Sequence, residues 1–151
     1  MPNHVPPWLD EGLASLNEFR DDPNRPALLE QALNEDGLFP LQVLCSFPTD
    51  ENAALLAYAQ SESIVRYLQE EYGRPVIREL LAAYVDDPNC EAGVNQVLDK
   101  DLDGLDAAWR ANLASQMQST GSKGETPWLV LWVETILLAL PLFGVLRSKK
   151  R

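Results

Sequence analysis

The amino-acid sequence predicts an all-α protein. It has about six helices in a domain over residues 1–114, a flexible linker over 115–126, one C-terminal transmembrane helix over 127–146 and a basic tail over 147–151. Three observations carry this expectation. Apolar residues recur at helical spacing in successive segments, each closed by Pro, Gly or an Asp/Asn pair. One such segment, residues 50–72, runs for about six turns. Finally, residues 127–146 form a run of 20 that is almost wholly apolar.

The first helix opens at Pro7-Trp8-Leu9-Asp10-Glu11-Gly12-Leu13-Ala14. Pro6 and Pro7 fix an extended approach and end where a missing N–H costs nothing. On a 3.6-residue wheel Trp8, Gly12, Leu16 and Phe19 share a face, widened by Leu9 and Leu13. Glu11 lies at its margin, about 60° from Trp8. Gly12 gives up roughly 1 kcal/mol of helix propensity against Ala. That cost is accepted where another backbone or a ligand comes close. The helix is expected to end near Phe19 or Arg20, broken by Asp21-Asp22-Pro23-Asn24. Asn24 can cap a second helix, with Leu28, Leu29 and Leu33 as its apolar face and Gly37 placed to end it. An apolar segment between prolines, Leu38 to Pro48, holds a helical turn that lines the core.

Thr49 or Asp50 opens the longest helix, with Gly73 after it. Residues 53–59 are apolar on every side, so this is the central core element, and Tyr58 lies inside it. Pro75 starts the next helix, with Val76, Ile77, Leu80, Leu81 and Tyr84 inward and Asp86-Asp87-Pro88-Asn89 as its stop. A short helix covers residues 92–98. Asp99-Lys100-Asp101-Leu102-Asp103-Gly104 then matches the first half of a calcium-binding EF-hand loop. The twelfth position is Arg110 where a bidentate Glu is needed. The better reading is that Asp103 caps a helix over 105–117, with Asp106 supporting its amino end.

Residues 115–126 are polar and Gly/Ser-rich, the composition of a flexible linker. The apolar run that follows spans roughly 30 Å as a helix, the hydrocarbon thickness of a bilayer. Trp128 and Trp132 stand near one interface, and Arg147, Lys149, Lys150 and Arg151 at the other. Glu134 interrupts it and must be protonated, snorkel or pair with a neighbouring helix. The basic tail stays cytoplasmic by the positive-inside rule, which puts the domain outside.

Charge narrows the partners. The 151 residues carry a net charge of −11, and the part before Pro127 has 8 basic against 22 acidic residues, a net −14. Phosphate binding needs clustered Lys and Arg, so nucleic acid is excluded as a partner. Cys45 and Cys90 either form one disulfide in an oxidising compartment or remain two small thiols, and the sequence leaves both open.

The stretch Trp8, Leu9, Glu11, Gly12 and Ala14 resembles the second half of a gluzincin zinc site, the Trp-Leu-x-Glu-Gly-x-Ala helix. Over residues 5–115 the chain looks like the C-terminal part of a peptidase MA-like domain. The resemblance makes Glu11 the zinc-ligand position and implies peptide or protein substrates. Tyr58-Ala59-Gln60-Ser61 through Tyr67-Leu68 and Tyr72-Gly73 is similar to a later gluzincin segment, and it makes Tyr58 the candidate donor to the oxyanion, a catalytic role. The HExxH half of the site, with two His ligands and the general-base Glu, is absent. The only histidine is His4, in a loop ahead of two prolines. No zinc is therefore expected for this chain alone, and zinc is expected in a full-length protein that carries the HExxH-bearing segment ahead of Met1. The missing export signal points the same way. Two functions follow: the C-terminal part of a membrane-anchored zinc metallopeptidase, inactive by itself, or a non-catalytic membrane-anchored pseudo-peptidase that acts as a binding module.

Overall fold

A computed structural model of the protein describes residues 5–17 and 23–121. Among them are seven helices and no strand: α1 (Pro7–Asn17), α2 (Asn24–Asn34), α3 (Leu41–Leu44), α4 (Glu51–Tyr72), α5 (Pro75–Asp86), α6 (Ala92–Leu98) and α7 (Leu102–Gly121). The chain divides into two units, Met1–Ser115 and Gln116–Arg151. The core described here belongs to the first.

That core is built on α4. Asp50 opens the helix from extended backbone, and its carboxylate accepts from the N–H groups of Asn52 and Ala53 at 3.1 and 3.0 Å. Such a cap is typically worth about 1 kcal/mol. Gly73, at φ 81°, ends it in a conformation that only glycine adopts without strain. Helices α1, α2 and α5 pack on α4, and α6 packs on α5. The buried part of α4 lies further along than the sequence predicts. Leu55 is 54% exposed, whereas Ala57, Ala59, Gln60, Ser61, Ile64, Val65, Tyr67 and Leu68 are buried. Contact with α1, rather than local apolarity, decides which turns go inside. Two polar residues, Gln60 and Ser61, go inside with them.

Gln60 is satisfied by backbone. Its Oε1 accepts from the Phe39 N–H at 2.9 Å and its Nε2 donates to the Phe39 carbonyl at 3.0 Å. The amide makes the bond pair that a neighbouring peptide unit would make. Helix α7 closes on the same place. Arg110 donates to the carbonyls of Leu38 and Phe39 at 3.2 and 2.9 Å and to Asp106 at 2.7 Å. Buried Trp109 donates from Nε1 to Ser63 Oγ at 3.0 Å.

Cys45 and Cys90 form a disulfide, Cα atoms 6.0 Å apart, that joins the end of α3 to the turn before α6. Of the two states the sequence leaves open, the structure has the paired one. The Tyr84 hydroxyl donates to the Cys90 carbonyl at 2.8 Å. Burial pushes that phenol well above its usual range. A Cβ on Gly93 would come within 2.6 Å of the Tyr84 ring, so only glycine fits there.

Several boundaries differ from expectation. Helix α2 follows Pro23 with no side-chain cap, and Asp36 at φ 53°, not Gly37, takes the left-handed position after it. Helix α7 begins at Leu102, three residues early. Asp101 rather than Asp103 caps it, accepting from the Gly104 N–H at 2.7 Å. Asp103 instead accepts from Gln42. The helix runs to Gly121, past the predicted end at 117 and into the expected linker. No helix of the described residues is long and apolar enough to cross a membrane. The expected transmembrane segment 127–146 and tail 147–151 lie outside the described residues, as do His4, Phe19 and Arg20.

Candidate functional site

Helix α1 is shaped to press against α4. The Pro6 carbonyl opens it by accepting from the N–H groups of Leu9 and Asp10 at 3.0 and 3.1 Å. Trp8 and Leu9 are fully buried, and Gly12 and Ser15 are buried beside them. Leu13 and Leu16, expected on the inward face, are only half-buried. The inward face is therefore turned from the predicted one towards Ser15. That brings it nearer to Glu11, which lies about 40° from Ser15 on the wheel.

The contact itself is made at Gly12. A Cβ there would lie 2.4 Å from the Ser61 carbonyl oxygen and 2.7 Å from Val65 Cγ2. Of the two reasons for a glycine, the structure gives the first: another backbone comes close. One turn further on, Leu16 and Asn17 share a cleft with Arg66, Gln69 and Glu70. The two helices thus run in the same sense. On that registration Glu11 precedes the contact by one residue and Tyr58 by three, so their levels differ by about 3 Å along the axes.

Glu11 is half-buried, and among the described residues no ion pair holds its carboxylate. Tyr58 is half-buried too, not enclosed as the sequence suggests. Its ring packs against Phe47 with centroids 4.9 Å apart and planes at 58°. Phe47 has φ 51°, a rare conformation for a bulky residue ahead of a proline. Neither Glu11 nor Tyr58 lines the cleft beside α1 or the depression formed by residues 87–96.

Two buried polar atoms on these helices have no hydrogen-bond partner among the described residues: Trp8 Nε1 and Ser61 Oγ. Buried groups left so are rare, and each costs about 1–3 kcal/mol. Ser61 is the residue whose carbonyl meets Gly12, and Trp8 stands one turn before Gly12. The orphaned atoms therefore lie on the same helix pair as Glu11 and Tyr58. Sequence reasoning placed Trp8 on the inward face but missed Ser61, as it missed the burial of Ser15 and Gln60, because nothing local marks a serine or glutamine as interior.

The donor set for zinc is incomplete within this chain. A His₂Glu site needs two imidazoles. The sequence has one histidine, and among the described residues no three His, Cys, Asp or Glu side chains converge. Glu11 can serve as one ligand and no more. At the half EF-hand loop, Asp101 Oδ1 is engaged by the Gly104 N–H and Arg110 by Asp106 and two carbonyls.

A family model of the peptidase MA superfamily matches residues 1–115, the whole of the first unit. The chain belongs to the peptidase MA superfamily. No curated protein and no solved structure matches it. As a peptidase MA superfamily domain, its all-α architecture sets a carboxylate on the half-buried flank of α1. It sets a phenol at nearly the same level on α4.

Proposed function

We propose that this chain is the Glu-bearing helical part of a membrane-anchored, zinc-dependent peptidase of the peptidase MA superfamily, acting on peptides or proteins. In the complete protein Glu11 is the carboxylate ligand of a zinc ion, and the two imidazoles come from an HExxH-bearing segment ahead of Met1. Zinc in such a site supplies a Lewis acid and an ionisable water for peptide-bond hydrolysis. Within this chain, Tyr58 donates its hydroxyl proton in a hydrogen bond to the developing oxyanion. Phe47 holds the Tyr58 ring by packing on it. Gly12 sets the distance between the helices that carry the two groups. The apolar run 127–146 anchors the protein, with the folded domain outside and the basic tail in the cytoplasm. The disulfide is at home in that oxidising location.

The observation that carries this reading is the superfamily match over residues 1–115, taken with the position of Glu11 beside the Gly12 contact. A second reading is favoured by the single histidine: a non-catalytic pseudo-peptidase that binds a partner. Metal content separates the two. The protein expressed together with its HExxH-bearing segment should hold about one zinc per chain and lose it on Glu11→Gln, while the purified 151-residue chain holds none. Stoichiometric zinc in the 151-residue chain, or zinc retained by Glu11→Gln, overturns the assignment of Glu11.

A further inference from the structure

A cleft of about 790 Å³ opens between the end of α1, the later turns of α4 and the start of α5. That volume is in the range of ligand-binding pockets. Three guanidinium groups line it, those of Arg66, Arg74 and Arg78, in a domain with a net charge of −14.

Two of these, Arg74 and Arg78, differ from the other arginines described. Arg25 and Arg66 both pair with Glu62, and Arg110 pairs with Asp106. Arg74 and Arg78 close no ion pair among the described residues. Partners are not scarce in a sequence with 22 acidic residues before Pro127. Local electrostatics also oppose their placement. Arg74 is the cap of α5 and Arg78 sits in its first turn, where the helix dipole is positive and cations are unfavourable. They are also spaced i, i+4, the separation at which like charges repel. Two cations held against both effects, at the mouth of one cleft, give a site that an anion relieves. Glu70 also lines the cleft, a single carboxylate beside Arg74 and Arg78, while Arg66 is taken up by Glu62.

The rest of the lining says which anion. Leu16 and Pro75 contribute apolar surface, and Gln69 contributes an amide able to bond a peptide backbone. We propose that this cleft docks an acidic segment of a partner polypeptide. Its carboxylates pair with Arg74 and Arg78 in fork geometry, and its apolar side chains lie on Leu16 and Pro75. The site is apart from Glu11, because Leu16 and Asn17 fall on the other side of α1. It stands whether or not the protein binds zinc.

The test is fluorescence anisotropy on the whole 151-residue chain. The probe is a fluorescein-labelled hexapeptide of alternating leucine and glutamate, compared with the same peptide carrying glutamine. The acidic peptide should bind about tenfold or more tightly than the amide one, as charge-assisted pairs require, and weaken as salt is raised. The double variant Arg74→Gln/Arg78→Gln should lose about tenfold in affinity with its circular dichroism unchanged. Arg74→Lys/Arg78→Lys should recover part of the loss, since it keeps charge without the fork. Equal binding of the two peptides, or full binding by the glutamine double variant, overturns the proposal. So does displacement of the peptide by inorganic phosphate under conditions where acetate has no effect, which assigns the cleft to phosphate. If the double variant fails to fold, each single glutamine variant should weaken binding severalfold, and no loss in either single variant is equally decisive against it.

Discussion

Replacing Gly12 by alanine tests the contact on which the candidate site is built. In an exposed helix the change stabilises by roughly 1 kcal/mol. Here a Cβ would stand 2.4 Å from the Ser61 carbonyl oxygen, 2.7 Å from its carbon and 2.7 Å from Val65 Cγ2. Ordinary contact begins near 3.5 Å, so α1 must retreat by about 1 Å. Two of the three obstructing atoms are backbone and cannot rotate away. The retreat loosens Trp8 and Leu9, both fully buried. Overpacking typically costs about 1–3 kcal/mol, and rigid obstruction places this case at the upper end. Subtracting the propensity gain leaves Gly12→Ala about 2 kcal/mol less stable. Urea unfolding followed by far-UV circular dichroism, with the disulfide intact, measures this directly. At a slope of about 2 kcal/mol per molar the midpoint should fall by about 1 M. A variant as stable as the parent, or more so, refutes the close approach and with it the registration of Glu11 against Tyr58.

Two further outcomes follow from the fold. Cys45→Ser/Cys90→Ser, or reduction, removes a link that closes a 45-residue separation, worth about 4 kcal/mol in the chain-entropy account. The urea midpoint should drop by about 2 M, and an unchanged midpoint in reductant refutes the pairing. Burial, reinforced by the neighbouring Tyr72 and Glu71, pushes the Tyr67 phenol up to about 12. The unfolded chain gives up that proton near pH 10 and the folded chain does not. Stability is therefore full below pH 10 and is lost as pH rises from there to about 12. Ultraviolet titration of the parent minus the Tyr67→Phe variant should show a phenolate step near 12, and a step near 10 refutes the burial.

What the sequence made legible is what local chemistry decides. Helix α6 falls on residues 92–98 as predicted, and α5 starts at Pro75 and stops at the Asp86-Asp87-Pro88 break. Asp50 caps α4 and Gly73 ends it. Gly12 stood out because a glycine inside an amphipathic helix needs a reason. What stayed hidden depends on partners distant in sequence. Gln60 is interior only because Phe39 turns its peptide groups towards it. Ser15 and Ser61 are interior because α1 crosses there. Asp101 caps α7 ahead of Leu102, and Asp103, inside the helix, is engaged by Gln42 from a distant segment. Glu11 and Tyr58, 47 positions apart, were named from a family resemblance, and only the helix registration brings their levels to within about 3 Å. The arginine cleft was in principle readable from Arg74 and Arg78 at i, i+4, but the ends of α1 and α4 that complete it were not.

Trp109 and Arg110 reach back to Ser63, Leu38 and Phe39, so α7 supplies donors to groups synthesised long before it. Translation runs from the amino end. The carbonyls after α2 and the indole-facing side of α4 thus leave the ribosome without these partners, and wait for α7 to emerge. These contacts can close only after Trp109 and Arg110 have been synthesised. Until then a nascent chain has a core with one wall open, which is the form a chaperone would meet.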